Sequence, residues 1–169
     1  INGGYRRING FAKYNTNIVP VTSASTEEVL LSCIFNDKIV AARGQKIFTA
    51  SAGSGSWTER DSGRTSAGVY TFERFNFDGN DKLIVADGNN APTVFNTSFA
   101  ATDVSSAGSG EVSTAVTGAK FVAVFKDHMF YAGMSNNKQE VVFSVPFDED
   151  NFATGSGAGS FKVDDTITG

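Results

Sequence analysis

The sequence predicts an all-β fold, a β-propeller fragment of about three antiparallel blades, with an antiparallel β-sandwich as the alternative. Two observations carry this. Glycine is abundant (18) against 3 prolines, and 15 phenylalanines sit in short apolar runs instead of long helical ones, a composition that favours short strands joined by tight turns. A single strand-and-turn layout also recurs three times along the chain, and repeats of about 40 to 50 residues with several strands each are the signature of propeller blades.

The first copy runs Leu30-Leu31-Ser32-Cys33-Ile34-Phe35, turns at Asn36-Asp37-Lys38, continues Ile39-Val40-Ala41-Ala42, turns at Arg43-Gly44-Gln45 and returns through Lys46 to Ala50. Runs this short between turn residues suit strands. The second runs from Val69 to Phe77, turns at Asp78-Gly79-Asn80-Asp81, continues Lys82 to Ala86, and after Asp87-Gly88-Asn89-Asn90 ends in Thr93-Val94-Phe95. The third runs Lys120 to Phe125, passes Lys126-Asp127, continues His128 to Ala132, turns at Asn136-Asn137-Lys138 and ends in Glu140 to Ser144. Anchored on Asp37, Asp81 and Asp127, the copies lie 44 and then 46 residues apart, and an aromatic closes each one, at Trp57, Phe99 and Phe152.

Residues 1–169 thus read as a single all-β region, part of a larger propeller, with repeats at approximately 28–60, 69–103 and 118–154. Strands are predicted at 30–35, 39–42, 46–50, 69–77, 82–86, 93–95, 120–125, 128–133 and 140–145, with almost no helix. The Ser25-x-x-Glu28 spacing matches a helix capping box, but the turn at Asn36 leaves room for one helical turn at most. The Gly/Ser-rich stretches Ser51–Ser56, Ala107–Gly110 and Gly155–Ser160 read as loops.

Charge narrows the function classes. A net charge of -4 and a pI near 4.9 oppose binding to a phosphate backbone, which needs clustered Lys and Arg, and the Arg6-Arg7 pair is too small a basic group to serve alone. The longest apolar run, Val29 to Phe35, falls far short of the roughly 20 residues of a membrane helix, so no membrane span is expected. The lone Cys33 forms no internal disulfide and suggests synthesis in a reducing compartment. The opening Ile1-Asn2-Gly3-Gly4, without initiator Met or signal peptide, reads as the interior of something longer.

Candidate chemistry is sparse, and no catalytic, cofactor-binding or metal residue is assigned. Gly53-Ser54-Gly55 and Gly155 to Gly159 lack the Lys-Ser/Thr and following helix of a phosphate loop. Asp78-Gly79-Asn80-Asp81 offers two carboxylates and an amide, where calcium takes about six to eight oxygens, so it reads as a strand reversal. His128 occupies the place of Lys38 and Lys82 and reads as an exposed turn residue; Cys33 reads as core. Asp148, Glu149, Asp150, Asp164 and Asp165 could supply an acid/base pair for glycoside hydrolysis, but acids clustered in turns read as solvated charge. The Asn96-Thr97-Ser98 sequon carries no meaning without a secretory route.

Asp87-Gly88-Asn89-Asn90-Ala91-Pro92-Thr93-Val94-Phe95-Asn96, the stretch from Gly118-Ala119-Lys120-Phe121 to Phe143-Ser144, Phe147 to Phe152, Phe161 to Gly169, and Gly3 to Phe11 resemble propeller-bearing virion proteins of tailed bacteriophages, including tail-nozzle and tail-hub components. The resemblance implies a non-enzymatic structural protein of the viral tail, assembled in the host cytoplasm into an oligomeric ring. Its implied partners are copies of itself and other virion proteins, with DNA passing nearby without specific binding. The alternative is a receptor- or carbohydrate-binding propeller module of a tail fibre, with Trp57 or Tyr131 as an exposed stacking platform. Closed propellers generally need about four to eight blades, so three repeats are expected to leave Phe121, Val122 and Phe143 facing a layer supplied from outside the segment.

Overall fold

Local turn geometry organises the molecule. The computed structural model describes residues 10, 12–22, 27–53, 55–65, 68–104, 111–112 and 115–167, and the all-β expectation holds: no α-helix occurs among the described residues. The first sheet contains β1 (Val29–Phe35), β2 (Lys38–Arg43), β3 (Lys46–Ser51) and β4 (Thr58–Asp61). The second contains β5 (Thr71–Phe77), β6 (Asn80–Ala86), β7 (Thr93–Phe95) and β8 (Ala101–Asp103). The third contains β9 (Phe121–Phe125), β10 (His128–Met134), β11 (Asn137–Phe143) and β12 (Gly159–Lys162), with a short 3-10 turn at Thr154–Ser156. Each sheet is a four-stranded antiparallel meander in chain order.

The first hairpin of every sheet turns on two residues with positive φ: Asn36-Asp37 (42°, 58°), Asp78-Gly79 (53°, 78°) and Lys126-Asp127 (47°, 65°). Two consecutive left-handed residues define the type I′ turn, whose twist matches that of the flanking strands. Phenylalanine precedes each turn, and the closing pairs are Phe35 with Lys38, Phe77 with Asn80 and Phe125 with His128. The repeat is therefore anchored on Phe35, Phe77 and Phe125, 42 and 48 residues apart by subtraction of their numbers. This corrects the Asp37/Asp81/Asp127 anchor: Asp81 lies inside β6, because Asp-Gly accepts the left-handed conformation more readily than Asn80-Asp81. His128 consequently matches Asn80, not Lys82.

Strand alternation then stacks the sheets. Leu31, Cys33, Phe35, Val40, Ala42 and Ile47 of the first sheet pack with Leu83, Val85, Phe95 and Phe99 of the second. The opposite side of the second sheet, through Phe75, Phe77, Ile84, Ala86 and Val94, packs with Val122, Met129, Tyr131 and Val142 of the third. Leu83 to Ala86 are all fully buried, odd and even positions against different neighbours. Three four-stranded sheets stacked in this way, with the middle one covered on both faces, are consistent with a propeller-like fragment or with a β-sandwich arrangement. The second and third sheets approach each other along β5, β6 and β9, the leading strands of their meanders.

Nine strands fall where the sequence places them, within two or three residues. The fourth strand of each sheet, β4, β8 and β12, is missed because it is short and mostly exposed, so no apolar alternation marks it. The third sheet accordingly extends past residue 154 to Lys162, and Gly159-Ser160 belong to a strand, not a loop. Val122 is also corrected: it points into the second sheet and is buried, while its neighbours Phe121 and Ala123 point the other way. Ser25 and Thr26 of the proposed capping box, Ala107–Gly110, and residues 3–9 and 11 lie outside the described residues; Glu27 and Glu28 form no helix.

Burial of β6 on both sides has a measurable consequence. Leu83→Ala and Ile84→Ala, adjacent in sequence and opposite in direction, should each lower unfolding free energy by about 2–5 kcal/mol, the usual cost of truncating a buried Leu or Ile. Urea titrations check this, whereas a one-sided sheet would show the loss at only one of the pair.

Candidate interaction surface

The side of the third sheet that faces away from the second is apolar and open. Phe121, Ala123 and Phe125 of β9, Phe130 and Ala132 of β10, Val141 and Phe143 of β11, and Phe161 of β12 share it by alternation and register, as the pairs Phe130 with Ala123, Phe130 with Phe143, and Val141 with Phe161 establish. The Phe130 and Phe143 rings lie 5.5 Å apart, and Phe125 meets Phe130 edge-on at 6.3 Å. The repeat gives this face its meaning. Phe35 and Phe77 are each 4 % exposed beneath the next sheet, whereas Phe125, in the equivalent position, is 62 % exposed.

At the other end of the stack, the chain covers its own sheet. Residues 12–22 run beside the first sheet as a strap: Thr16 N–H donates to Gly53 O at 2.9 Å, and Asn15 Nδ2 donates to Ser51 O and Gly55 O, both at 2.9 Å. Trp57 Nε1 donates to Asn17 O, Tyr14 Oη donates to Asp37 O, and Arg43 Nη1 donates to Val19 O at 2.6 Å. Arg43, Ala41, Phe48 and Ala50 point to this side by alternation, and the last three are buried. Ile18 and Val21 of the strap, with Ile34 of β1, remain outward and exposed.

The joint between the first two sheets contains a buried charge network. Arg64, in the connection from β4 to β5, places Nη1 3.3 Å from Asp87 Oδ2, and Nη2 donates to Thr93 Oγ1 at 2.8 Å. Its Nε lies 3.0 Å from Asp61 Oδ2, an ion pair not aligned as a hydrogen bond. Thr93 Oγ1 donates in turn to Asp103 Oδ1 at 2.7 Å. Asp87 Oδ1 accepts Asn89 N–H (2.9 Å) and Asn90 N–H (2.7 Å), which fixes the Asp87-Gly88-Asn89-Asn90 turn. Burial raises the Asp61 carboxyl above its ordinary pKa, against the lowering effect of Arg64. Tyr70, whose buried hydroxyl adjoins this network without a hydrogen bond, is pushed up to about 12 by burial.

The residues weighed for chemistry are dispersed. Cys33 is buried in the first joint, where desolvation pushes its thiol up to about 11 against a smaller opposing effect of Arg74. His128 is half-buried, which corrects its reading as an exposed turn residue. Its Nδ1 lies 2.5 Å from Ser144 O, and its ring packs against Phe143 at 5.6 Å. The Ser144 hydroxyl accepts Met129 N–H and donates to Val145 O, so it is not aligned on the imidazole as a nucleophile would be. Glu149 is also no solvated turn acid: it is buried and paired with Lys82 across the second joint, while Asp148, Asp164 and Asp165 are exposed.

Tyr131, considered above as an exposed platform, is fully buried and donates its hydroxyl to Glu149 O at 2.6 Å; Trp57 is half-buried and engaged with the strap. At the Asp78 turn, Asn76 Nδ2 donates to Asp81 Oδ1 and Asn80 Nδ2 to Asp78 O, so these groups serve one another. Among the described residues, no group of three or more His, Cys, Asp or Glu side chains is placed to hold a metal ion, and no helix is long and apolar enough to cross a membrane. The exposed aromatic sheet face is the surface that sequence reasoning only half located; its signal was the repeated phenylalanine before each turn.

Comparison with protein-family models, curated proteins and solved structures finds no match to this chain.

Two measurements probe these joints. Arg64→Ala leaves Asp87 buried without its cation and should cost about 3–5 kcal/mol in urea unfolding, as breaking one side of a buried pair does; Arg64→Lys should recover little, since a single ammonium cannot span Asp61, Asp87 and Thr93. Cys33 should resist a thiol-specific reagent at pH 8 in the folded chain and react at the ordinary rate in denaturant, because the reactive thiolate is disfavoured by burial. Rapid labelling of the native protein would contradict its place in the joint.

Proposed function

We propose that this chain is a non-catalytic structural component of a bacteriophage virion, a propeller module of the tail nozzle or hub type that assembles into an oligomeric ring. The observation that carries the reading is the stack itself: three repeated sheets cover one another in succession, and the last presents the same aromatic face that its predecessors use for packing. A face of this kind is an assembly surface, since large exposed apolar patches mark interaction sites in soluble proteins. The side chains that could have served chemistry or glycan stacking are committed elsewhere: Tyr131 and Glu149 to the second joint, Trp57 to the strap, His128 to a backbone carbonyl. The resemblance of the Asp87–Asn96 and Gly118–Ser144 stretches to tailed-phage virion proteins supports the same class. A net charge of -4 suits a wall beside DNA better than a surface that grips it.

The reading is tested by fractionation. Lysates of the source culture separated on a density gradient should carry peptides of this chain in the band of DNA-filled particles, in fixed ratio to other particle proteins by quantitative mass spectrometry. Recovery only in the soluble fractions would overturn it.

A further inference from the structure

Going beyond the assembly reading and without resting on it, we propose that the turn end of the stack is a binding groove for a neutral oligosaccharide. Each meander brings its first and third turns to the same end, so the β1–β2, β5–β6 and β7–β8 turns gather there. Asn36 Nδ2 donates to Thr97 O at 2.7 Å across the first joint, and Lys82 pairs with Glu149 across the second. Three hollows adjoin at this end. One of about 350 Å³ opens between the first and second sheets beside Asn36, Arg74, Asn76 and Thr97. Another, of about 310 Å³, opens toward the third sheet beside Asn96, Thr102, Asp103 and Glu149. A third, of about 250 Å³, lies between them, sharing Asp81, Lys82 and Thr97 with the first and Lys82 and Asn96 with the second. Small-molecule sites run from about 300 to 1,000 Å³, and hollows in a row suit a chain of ring-sized units better than one compact ligand.

Side-chain hydrogen bonding selects the ligand. Three amides in the groove are each fixed at one end and open at the other. Asn36 and Asn76 commit Nδ2 to Thr97 O and Asp81 Oδ1, at 2.7 and 2.6 Å, and keep Oδ1 as an acceptor without a partner among the described residues. Asn96 is the reverse: its Oδ1 accepts Ser98 N–H, Ser98 Oγ and Ala100 N–H at between 2.7 and 3.0 Å, which leaves Nδ2 as the open donor. Arg74 is exposed and forms no hydrogen bond or ion pair among the described residues. Internal bonds hold these groups in place before a ligand arrives, which lowers the ordering cost of binding. Fixed acceptors set among fixed donors match hydroxyl groups, which both donate and accept. Phe35 and Phe75 line the base of the first hollow and give the C–H side of a sugar ring an apolar floor. Trp57 and Tyr131 take no part. Other polymers fit less well. The strands meet the groove by their turns, whose backbone is already bonded, as in Phe99 N–H to Asn96 O, so an extended peptide finds no open ladder edge. Asp81, Asp103 and Glu149 outnumber Arg74 and Lys82, which opposes nucleic acid and acidic sugars alike.

Isothermal titration calorimetry of the chain with maltohexaose, cellohexaose, mannohexaose and N-acetylchitohexaose tests the groove, with hexagalacturonate as the acidic comparison. At least one neutral sugar should bind with Kd below about 1 mM, and hexagalacturonate should not bind. Asn96→Asp keeps the Oδ1 that holds Ser98 and Ala100 and removes only the open donor, so it should weaken binding about tenfold, the worth of one hydrogen bond, with melting unchanged. Arg74→Met, at an exposed side chain without internal partners, should also weaken binding and leave melting unchanged. Lys138→Met, in the β10–β11 hairpin at the opposite end of the third sheet, should bind as the native chain does. Failure of all four neutral sugars to bind overturns the proposal. So does binding that survives both Asn96→Asp and Arg74→Met, or hexagalacturonate bound more tightly than any neutral sugar. Particle fractionation reads none of these quantities, so the virion reading and the groove can fail separately.

Discussion

The rest of the molecule depends on the burial of β6 from both sides. A strand in an ordinary antiparallel sheet has one wet face and alternates accordingly, whereas a strand covered by sheets on both faces becomes a continuous apolar run. Leu83-Ile84-Val85-Ala86 is such a run, and each of its side chains is completely removed from solvent. Because neighbouring side chains point in opposite directions, the run commits the first sheet to one side and the third to the other. The stacking order follows from strand periodicity alone. Once it is set, the connections must cross from the last strand of one sheet to the first strand of the next, as between β4 and β5.

The crossings repeat as faithfully as the strands do. After β4, Arg64 N–H bonds to Gln45 O; after β8, Val104 N–H bonds to Pro92 O; after β12, Val163 N–H bonds to Gln139 O. Each time, the chain leaves the outer strand by docking on the loop or strand that follows the second strand of the same sheet. This satisfies backbone groups that would otherwise be orphaned at the edge, and it returns the chain toward the inner strands. At the first crossing the route is also fixed electrostatically, since the guanidinium of Arg64 links Asp61 in the departing sheet with Asp87 and Thr93 in the arriving one. A buried ion pair of this sort adds little net stability by comparison with an apolar joint, because desolvation opposes the attraction. Its contribution is geometric: only one relative placement of the two sheets satisfies all of its partners.

How much of this the sequence disclosed depended on range. The hairpins were legible because a type I′ turn writes its requirement into two adjacent residues, and Asp78-Gly79 states it plainly. The inner three strands of each sheet were legible because they carry apolar side chains in runs. The outer strands were not: Thr58-Glu59-Arg60-Asp61 and Ala101-Thr102-Asp103 are held by ladder hydrogen bonds to a neighbour and present little to the core, so neither periodicity nor hydrophobicity marks them. Long-range polar partners were equally hidden. Nothing in the Glu149 neighbourhood announces Lys82, and nothing near Arg64 announces Asp87, because those pairings arise only when separate sheets are brought together. The strap was invisible for the same reason, since residues 12–22 have no strand pattern and acquire order from the sheet beneath them.

The apolar face at the end of the stack follows from the same logic. In a protein built of repeats, each unit derives part of its stability from its own ladder and part from the joint with its neighbour, so a terminal unit must either change its outer surface or find a partner. The first sheet takes the former course: Ala41 reduces the side chain, and the strap hydrogen-bonds to Asp37, Ser51, Gly53 and Gly55 at the margins of the sheet. The third sheet makes no such change. Phe121, Phe125, Phe130, Phe143 and Phe161 keep the aromatic character of an internal joint on a face that no other sheet of the described stack covers. A surface that keeps interior composition while facing outward loses apolar burial for as long as it stays uncovered, at about 25 cal/mol per Å² of apolar surface. That loss favours any contact that removes the outer face of the third sheet from water.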